Sequence, residues 1–317
     1  MSTTSRAFSL GREGGDDGDD GSFQRQDSRF RGWVSDDAQA RFPLVAGRYH
    51  LYASRACPWA HRTLIARRLM GLQDAIGVSY VSPLRDDRGW AFDAAHPDEL
   101  NRFQFLSEAY TAADPGYEER VSVPVLWDAE RGTIVNNESA DILRMLATAF
   151  APLAAHPVAL YPEALRGDID ALGDEIYESV NNAVYKTGFA GRQDVYDREV
   201  DGLFQALDRL DLRLADQRFL FGSAPVETDW RLFTTLVRFD AVYQVHFKCS
   251  IRKLSEYASL WPYARDLYQW PGVAETVDFE EIRAHYYRTH PMINPTGIVA
   301  ARPAASFDAP PNREHLG

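Results

Sequence analysis

The junction between a short apolar run and an amphipathic run, in residues 50–72, constrains the fold of this chain more than any other stretch. Its sequence is HLYASRACPWAHRTLIARRLMGL. The first residues are typical of a short strand, and the later apolar residues recur every three or four positions, which predicts a helix ending near Gly71. Pro58 suits the first position of that helix because a proline has no N–H to leave unpaired. Cys57 is therefore predicted at the turn from the strand into the helix.

Residues 76–82 alternate in hydropathy, which predicts a second strand. Two more strands and a helix are predicted further along the chain. Residues 121–128 predict a strand interrupted by Pro124, residues 132–139 predict another strand, and residues 138–150 predict a helix. The order strand–helix–strand, then strand–strand–helix, is that of a thioredoxin-like domain. The stretch between the two halves, residues 83–120, is predicted to be irregular because it is rich in turn residues.

Composition and proline spacing divide the chain further. Helical spacing of apolar residues continues after the prolines at 152, 157 and 162, which mark a linker. The predicted fold class is an α/β thioredoxin-like N-terminal domain followed by an all-α C-terminal domain. The predicted limits are a disordered acidic tail at 1–28, the thioredoxin-like domain at 29–150, a linker at 151–165, the helical domain at 166–290 and a C-terminal extension at 291–317.

The charge balance excludes several classes of partner. The 317 residues carry a formal charge of -12, with a sequence pI of about 5.1, so we expect no binding to nucleic acid or to an anionic membrane. No signal peptide or membrane-spanning run is visible, and two cysteines favour a reducing, cytoplasmic setting over a disulfide framework. No HExxH motif is present, and His285 and His290 are spaced too loosely for a metal pair. We expect no metal and no permanently bound cofactor.

Cys57 is the candidate nucleophile. Unpaired N–H groups and the helix dipole stabilise a thiolate at the start of a helix, and Arg55 and Arg62 would add positive charge. A dithiol oxidoreductase would carry a second cysteine where Ala60 stands in CPWA. A mixed disulfide on Cys57 would therefore need a second, external thiol for its release. The alternative interpretation is a buried, inert cysteine.

Two further positions follow from the thioredoxin-like order. Pro124 is predicted to be a cis proline that faces the cysteine, with the backbone of Val123 free to pair with a peptide ligand. Glu138 and Ser139 begin the last helix of the domain, where an ammonium group and a carboxylate of an amino acid would both find partners. The alternatives are an ordinary trans proline and plain helix capping.

Six segments together resemble the glutathionyl-hydroquinone reductases, the Xi class of glutathione transferases. The resemblance runs from about residue 30 to residue 298 and covers both domains. The segments are SRACPWAHRTLIARRLMGL, RVSVPVLWD, IVNNESADILRM, NNAVYKTGFA, DWRLFTTLVRFDAVYQVHFKC and HYYRTHPMINPTGI.

The resemblance implies that glutathione reduces a glutathionyl-hydroquinone to the hydroquinone and is released as glutathione disulfide. It matches Cys57 to the nucleophile of the family and implies a homodimer. It places around glutathione Trp90, Arg120, Val123, Pro124, Glu138 and Ser139, and around the hydroquinone ring Tyr185, Tyr243 and Tyr286. The thiol stays open between glutathione and γ-glutamylcysteine, which carry the same γ-glutamyl group.

Two other functions remain as alternatives. An omega-like thioltransferase or dehydroascorbate reductase would share Cys57 and the glutathione site but would not need three tyrosines. A non-catalytic binding protein of the same fold would need neither a reactive Cys57 nor the three tyrosines. Cys249 is predicted to be a packed thiol without a role in the reaction. In the helix that begins near residue 227, Val226 stands where related transferases have a capping Ser or Thr, and Thr228 is the candidate substitute.

Overall fold

The computed structural model describes residues 15–17 and 21–316. The remaining residues of the predicted acidic tail, 1–14 and 18–20, lie outside the described residues. The chain forms two compact units. The first contains Arg25–Val158 and Glu280–Thr289, and the second contains Ala159–Phe279 and the residues from His290 onward, together with residues 21–24.

The first unit is built on a four-stranded mixed sheet. Near the N-terminus two short strands, β1 (Gly15–Asp17) and β2 (Phe23–Arg25), pair with each other. The elements that follow are β3 (Tyr49–Ala53), α1 (Pro58–Leu69), β4 (Ile76–Tyr80), α2 (Leu106–Ala113), β5 (Val125–Asp128), β6 (Thr133–Asn136) and α3 (Ser139–Ala147). The strand order is β4-β3-β5-β6, and only β3 and β4 are parallel. This confirms the predicted thioredoxin-like arrangement.

Strand β3 is an interior strand of the sheet, and all five of its residues are buried between two neighbours. Its histidine side chain, that of His50, is bonded to the hydroxyl of Ser79 at 2.8 Å. Leu51 pairs with Val78 on one side and with Leu126 on the other. Helix α1, which follows β3, packs against α3. Gly71 ends α1 with a φ of +65°, as predicted, and a Cβ there would lie 2.9 Å from Ala155.

The prediction that residues 83–120 are irregular was wrong for α2. This helix is only eight residues long, and its buried residues Leu106, Ala109 and Tyr110 repeat over little more than one turn. The Glu108 side chain accepts from the backbone N–H of Phe105 at 2.9 Å and so closes the first turn. Such a short pattern between turn residues is too brief for periodicity to reveal.

Apart from the N-terminal residues 21–24, the regular elements of the second unit are helical, as predicted. Its helices are α4 (Arg166–Ile176), α5 (Ala183–Gly188), α6 (Gln193–Arg213), α7 (Glu227–Arg238), α8 (Gln244–His246) and α9 (Leu260–Tyr268). Two π-helical turns, Tyr177–Asn181 and Phe239–Tyr243, join α4 to α5 and α7 to α8. In the described part of the chain, no helix has both the length and the apolar character needed to cross a membrane.

Helix α10 (Phe279–Thr289) lies inside the predicted limits of the helical domain, but residues Glu280–Thr289 pack with the first unit. Ion pairing and ring stacking attach them there, as described below. The limits of the two domains as folding units stay a proposal.

The prediction of a disordered tail was wrong for residues 21–28. Phe23 is buried in the second unit, where its ring centroid lies 5.4 Å from that of Phe189 and 6.3 Å from that of Tyr185. Gly21 accepts a hydrogen bond from the backbone N–H of Gly191 at 3.0 Å. One aromatic residue in a polar segment is enough to order it when an aromatic cluster is available.

Helix α7 begins without a side-chain cap. Val226 has the extended backbone of an N-cap residue, and Thr228 does not replace it, because its hydroxyl donates to the carbonyl of Ile169 at 3.2 Å. Instead, the fully buried carboxylate of Asp229 accepts from the N–H of Val226 at 2.8 Å. Half of a capping box is therefore present.

Supplying the missing half should stabilise the second unit. Val226→Thr is expected to raise the free energy of unfolding by about 1 kcal/mol, because its hydroxyl accepts from the first turn of α7. Chemical denaturation measures the change. Val226→Ala is the control, since it removes the methyl groups without adding an acceptor and should lower stability. If Val226→Thr is no more stable than Val226→Ala, the uncapped first turn does not limit stability.

Candidate active site

Cys57 is the N-cap residue of α1, and Pro58 occupies the first helical position. The side chain is 8% exposed and is not part of a disulfide. The carbonyl of Cys57 accepts from the N–H of His61 at 2.9 Å, which begins the helical ladder. The sulfur thus lies at the positive end of the helix dipole, as the sequence predicts.

The peptide bond between Val123 and Pro124 is cis, which confirms the prediction. The carbonyl oxygen of Val123 lies 3.8 Å from the sulfur of Cys57. Among the described residues no acceptor faces the N–H of Val123. The backbone at this position therefore lies beside the cysteine with a donor available to a bound peptide.

The loop before the cis proline is held by α2. The hydroxyl of Tyr110 donates to the carbonyl of Ser122 at 2.8 Å and accepts from the N–H of Ser122 at 3.2 Å. Burial raises the pKa of Tyr110, so the hydroxyl stays protonated and able to donate. The helix that the sequence did not predict therefore fixes the residue next to Val123.

Glu138 is the N-cap residue of α3, and Ser139 is the first helical residue. One carboxylate oxygen of Glu138 accepts from the N–H of Ala140 at 3.1 Å, and the other accepts from the hydroxyl of Ser28 at 2.9 Å. Glu138 therefore does cap the helix, which was the alternative interpretation. A carboxylate has about four acceptor positions, so capping leaves room for an ammonium group as well.

Trp90 and Arg120 lie in the irregular stretches on either side of α2. Trp90 is 3% exposed, and its indole N–H has no acceptor among the described residues. Arg120 is half-buried, and its backbone carbonyl accepts from the hydroxyl of Tyr117 at 2.5 Å. A buried donor without a partner costs about 1–3 kcal/mol unless a ligand supplies the acceptor.

Helix α10 contributes Tyr286 to the first unit, and its neighbours attach it there. Glu281 binds Arg55, which precedes Cys57 by two residues, with an N–O distance of 2.8 Å. Arg55 therefore pairs with a carboxylate, which offsets part of the positive charge that it was predicted to add near the sulfur. His285 is bonded through Nδ1 to the carbonyl of Pro83 at 2.7 Å, and its ring stacks on Trp90 at 5.0 Å.

The sequence analysis missed Glu281 and His285 as residues of this site. They are four residues apart in a predicted helix and so share a face, which was the available signal. The structure uses His285 to support Trp90, and the described residues contain no cluster of three or more groups able to hold a metal ion.

The other two candidate tyrosines lie in the second unit. Tyr185 and Tyr243 are fully buried, and their ring centroids are 6.1 Å apart. Phe247 contacts both, at 5.4 Å from Tyr185 and 5.6 Å from Tyr243. The structure therefore brings these two tyrosines together, whereas Tyr286 belongs to the first unit.

Cys249 is a packed thiol in the second unit, as predicted. It is fully buried, and its sulfur lies 4.0 Å from the carbonyl of Val184 and 3.9 Å from that of Phe247. Burial raises the pKa of the Cys249 thiol well above its ordinary value. A thiol that stays protonated is a poor nucleophile.

Two family models match the chain. The "Glutathione S-transferase, N-terminal domain" matches residues 56–149, and the "Glutathione S-transferase, C-terminal domain" matches residues 193–266. The first match contains Cys57, the cis proline and the Glu138–Ser139 helix start. The second contains the α7 segment and Tyr243.

Three related proteins are similar over nearly the whole chain. "Glutathionyl-hydroquinone reductase YqjG" of Escherichia coli is 50% identical over 93% of this chain and 93% of its own. "Glutathionyl-hydroquinone reductase PcpF" of Sphingobium chlorophenolicum is 44% identical over 90% of each chain. The solved "Xi Class GST from Natrialba magadii" is 48% identical, covers 94% of this chain and 96% of its own, and superposes with a TM-score of 0.89.

A glutathione-bound structure of YqjG from Escherichia coli K-12 is also similar, with 49% identity, coverage of 90% and 96%, and a TM-score of 0.88. Identity at this level extends over both units and includes the segment around Cys57. The chain belongs to the glutathionyl-hydroquinone reductase family, the Xi class of glutathione transferases.

Proposed function

We propose that this protein reduces glutathionyl-hydroquinones to hydroquinones with glutathione as the reductant and Cys57 as the nucleophile. The observation that carries the proposal is the position of the Cys57 sulfur, at the N-terminus of α1 and 3.8 Å from the carbonyl of Val123. Two relatives that are 44–50% identical bear the name of this activity. No permanently bound cofactor is needed, because the glutathione of the conjugate and the glutathione that acts as the reductant are both substrates.

The first half-reaction transfers glutathione to the enzyme. The thiolate of Cys57 attacks the sulfur that joins glutathione to the ring, so that an S–S bond forms and the C–S bond to the ring breaks. The electron pair of the broken bond goes to the ring, which takes up a proton and becomes the hydroquinone. The ring is reduced by two electrons, and the two sulfurs are oxidised to a mixed disulfide.

The second half-reaction needs a second thiol. Ala60 stands where a dithiol enzyme would have its resolving cysteine, and Cys249 is buried. The thiolate of a second glutathione therefore attacks the glutathione sulfur of the mixed disulfide. Glutathione disulfide leaves, and the thiolate of Cys57 is regenerated.

The residues around Cys57 supply groups that suit a γ-glutamyl peptide. The backbone of Val123 pairs with the cysteinyl part, and Pro124 holds that backbone in place. The γ-glutamyl ammonium group binds Glu138, its carboxylate binds Ser139 and the N-terminus of α3, and Trp90 and Arg120 donate to the remaining acceptors. Since γ-glutamylcysteine has the same γ-glutamyl group, it is the alternative thiol.

The three tyrosines are proposed to assist the departure of the ring. The ring carbon is a poor leaving group when the C–S bond breaks. If the ring first changes to its keto tautomer, the group that leaves is an enolate, which is a better leaving group. The phenolic O–H groups of Tyr185, Tyr243 and Tyr286 can stabilise the charge on the enolate oxygen. Each Tyr→Phe change should lower kcat for a glutathionyl-hydroquinone by about 10- to 100-fold. Steady-state kinetics measures this loss.

The matched control is the glutathionylation of Cys57 by a disulfide, which expels a thiolate and needs no help at a ring oxygen. Its rate should change by less than about twofold in each Tyr→Phe variant. An equal loss in both reactions would mean that the tyrosines act by packing. Tyr287→Phe tests the neighbour of Tyr286 and should leave both rates unchanged.

Incubation with a glutathionyl-hydroquinone, followed by mass spectrometry and product analysis, separates this function from its alternatives. A glutathione adduct on Cys57 with release of hydroquinone supports the reductase. Turnover of dehydroascorbate without release of hydroquinone would favour an omega-like thioltransferase. The absence of both adduct and turnover would leave a non-catalytic binding protein.

A homodimer in the cytoplasm completes the proposal. The dimer is expected because the resemblance implies it, and the cytoplasm is expected because the reaction consumes reduced glutathione. Sedimentation velocity on the full chain measures the oligomeric state.

A further inference from the structure

Among the described residues no carboxylate pairs with Arg85, although acidic residues outnumber basic ones in this chain by 46 to 34. Its side chain is half-buried, and its guanidinium makes no hydrogen bond or ion pair with any other described residue. Its contact is with the ring of Trp90, whose centroid lies 5.4 Å from the guanidinium carbon. The Nε atom is buried and has no hydrogen-bond partner among the described residues, whereas the two terminal nitrogens are not buried and can be reached by a ligand.

Three acidic residues of the same loop and of α10 are bound to other cations. Asp86 pairs with Arg88 at 2.5 Å, and Asp93 is bonded to His96 at 3.0 Å. Glu281 pairs with Arg55 at 2.8 Å. These three carboxylates are therefore already paired with other cations and do not pair with Arg85.

Trp90 gives a second, independent sign of a ligand at this place. Its N–H is buried and finds no acceptor in the part of the chain that the structure describes, and the guanidinium of Arg85 lies over its ring. The ring is held by stacking on His285, which is itself fixed by its bond to the carbonyl of Pro83. A carbonyl oxygen only accepts, so Nδ1 of His285 carries the proton, and the imidazole supports Trp90 in one orientation.

We propose that Arg85 and the indole N–H of Trp90 form a binding site for a carboxylate of the substrate. A carboxylate accepts hydrogen bonds from both donors and neutralises the guanidinium. The inference rests on the proposed function, which places Trp90 beside glutathione. Two carboxylates have the required chemistry: the glycyl carboxylate of glutathione and a carboxylate substituent on the hydroquinone ring. Arg85 would then determine which thiol or which ring the enzyme prefers.

Direct binding measurements test the site without relying on turnover. Isothermal titration would compare glutathione with its glycyl ethyl ester, and 2,5-dihydroxybenzoate with unsubstituted hydroquinone, on the wild type and on Arg85→Gln. We expect Arg85→Gln to weaken the binding of one of the two carboxylate ligands, either glutathione or 2,5-dihydroxybenzoate, by about tenfold. The loss of one charge-assisted hydrogen bond has an effect of this size. Its neutral analogue should bind both proteins equally.

Two variants serve as controls. Arg85→Lys keeps the charge and should retain most of the affinity. Arg88→Gln removes an exposed arginine of the same loop that already has a partner, and it should change neither affinity. The ligand that loses affinity in Arg85→Gln identifies the source of the carboxylate, which is either glutathione or the hydroquinone ring.

The proposal is overturned if Arg85→Gln binds both carboxylates as well as the wild type does, or if the charged and neutral ligands lose affinity equally. Either result would leave the reductase function standing. If instead the wild type released no hydroquinone from any glutathionyl-hydroquinone, the proposed function would fail while the binding comparison still decided the role of Arg85.

Discussion

Cys57→Ser should abolish the reduction of a glutathionyl-hydroquinone, with a loss in kcat on the order of 10³-fold or more. A serine hydroxyl at the start of α1 is not ionised at neutral pH, and it cannot form the S–S bond on which both half-reactions depend. Steady-state kinetics measures the loss, and mass spectrometry should find the glutathione adduct on the wild type alone. Binding of glutathione should persist, since Val123, Glu138 and Ser139 are unchanged.

Cys249→Ser is the matched control for this prediction. Its thiol is buried and its pKa is raised, so the variant should keep the wild-type kcat. A Cys57→Ser protein with more than about a tenth of the wild-type kcat would remove the basis of the mechanism. Loss of activity in Cys249→Ser, with the protein folded, would mean that the second cysteine takes part.

Asp229→Ala is expected to destabilise the second unit by about 4 kcal/mol, the largest effect on folding among the variants considered. The carboxylate of Asp229 is fully buried and accepts from the N–H of Val226 at 2.8 Å, the N–H of Leu220 at 2.9 Å and the hydroxyl of Tyr263 at 2.8 Å. Alanine would leave three buried donors without an acceptor. Denaturant unfolding followed by circular dichroism measures the change.

The control is Asp201→Ala, which removes an exposed aspartate from α6 in the same unit. Its effect should stay within about 0.5 kcal/mol. A loss below about 1 kcal/mol in Asp229→Ala would mean that water or a rearranged backbone satisfies the three donors.

Asp229 should also make stability depend on pH. Burial raises the pKa of Asp229 from 3.8 to about 6. The folded state therefore holds the proton more tightly than the unfolded state, so the stabilising contribution is present at low pH and is lost as the pH rises through about 6. Between pH 4 and 7 the stability of the wild type should fall by about 2 kcal/mol relative to Asp229→Asn, which does not titrate there. A constant difference across this range would contradict the raised pKa.

Features that depend on neighbouring residues in the chain were predictable. The strand–Cys57–Pro58–helix junction, the start of α3 at Glu138 and the burial of Cys249 all follow from local spacing, capping chemistry and hydropathy. The cis bond before Pro124 was predictable because the order of strands and helices fixed the fold class. Helix α2 was not, since eight residues give too little periodicity.

Features that depend on distant pairs were not predictable. Arg55 and Glu281 are separated by 226 positions, and no local pattern couples them. The same holds for Trp90 and His285, and for Phe23 with Phe189. In each case the two side chains lie far apart in the sequence and are neighbours only in the tertiary structure.

The sequence by itself determined the order of strands and helices, the cysteine at the helix start and the family, because these are properties of contiguous residues. Only the tertiary structure decided that residues of α10 pack with the first unit, that Glu138 is held by Ser28, and that no carboxylate of the described residues pairs with Arg85. Those outcomes depend on which charges and rings are neighbours in space. The pairing of buried or half-buried groups is settled by packing geometry, which the spacing of residues along a chain does not encode.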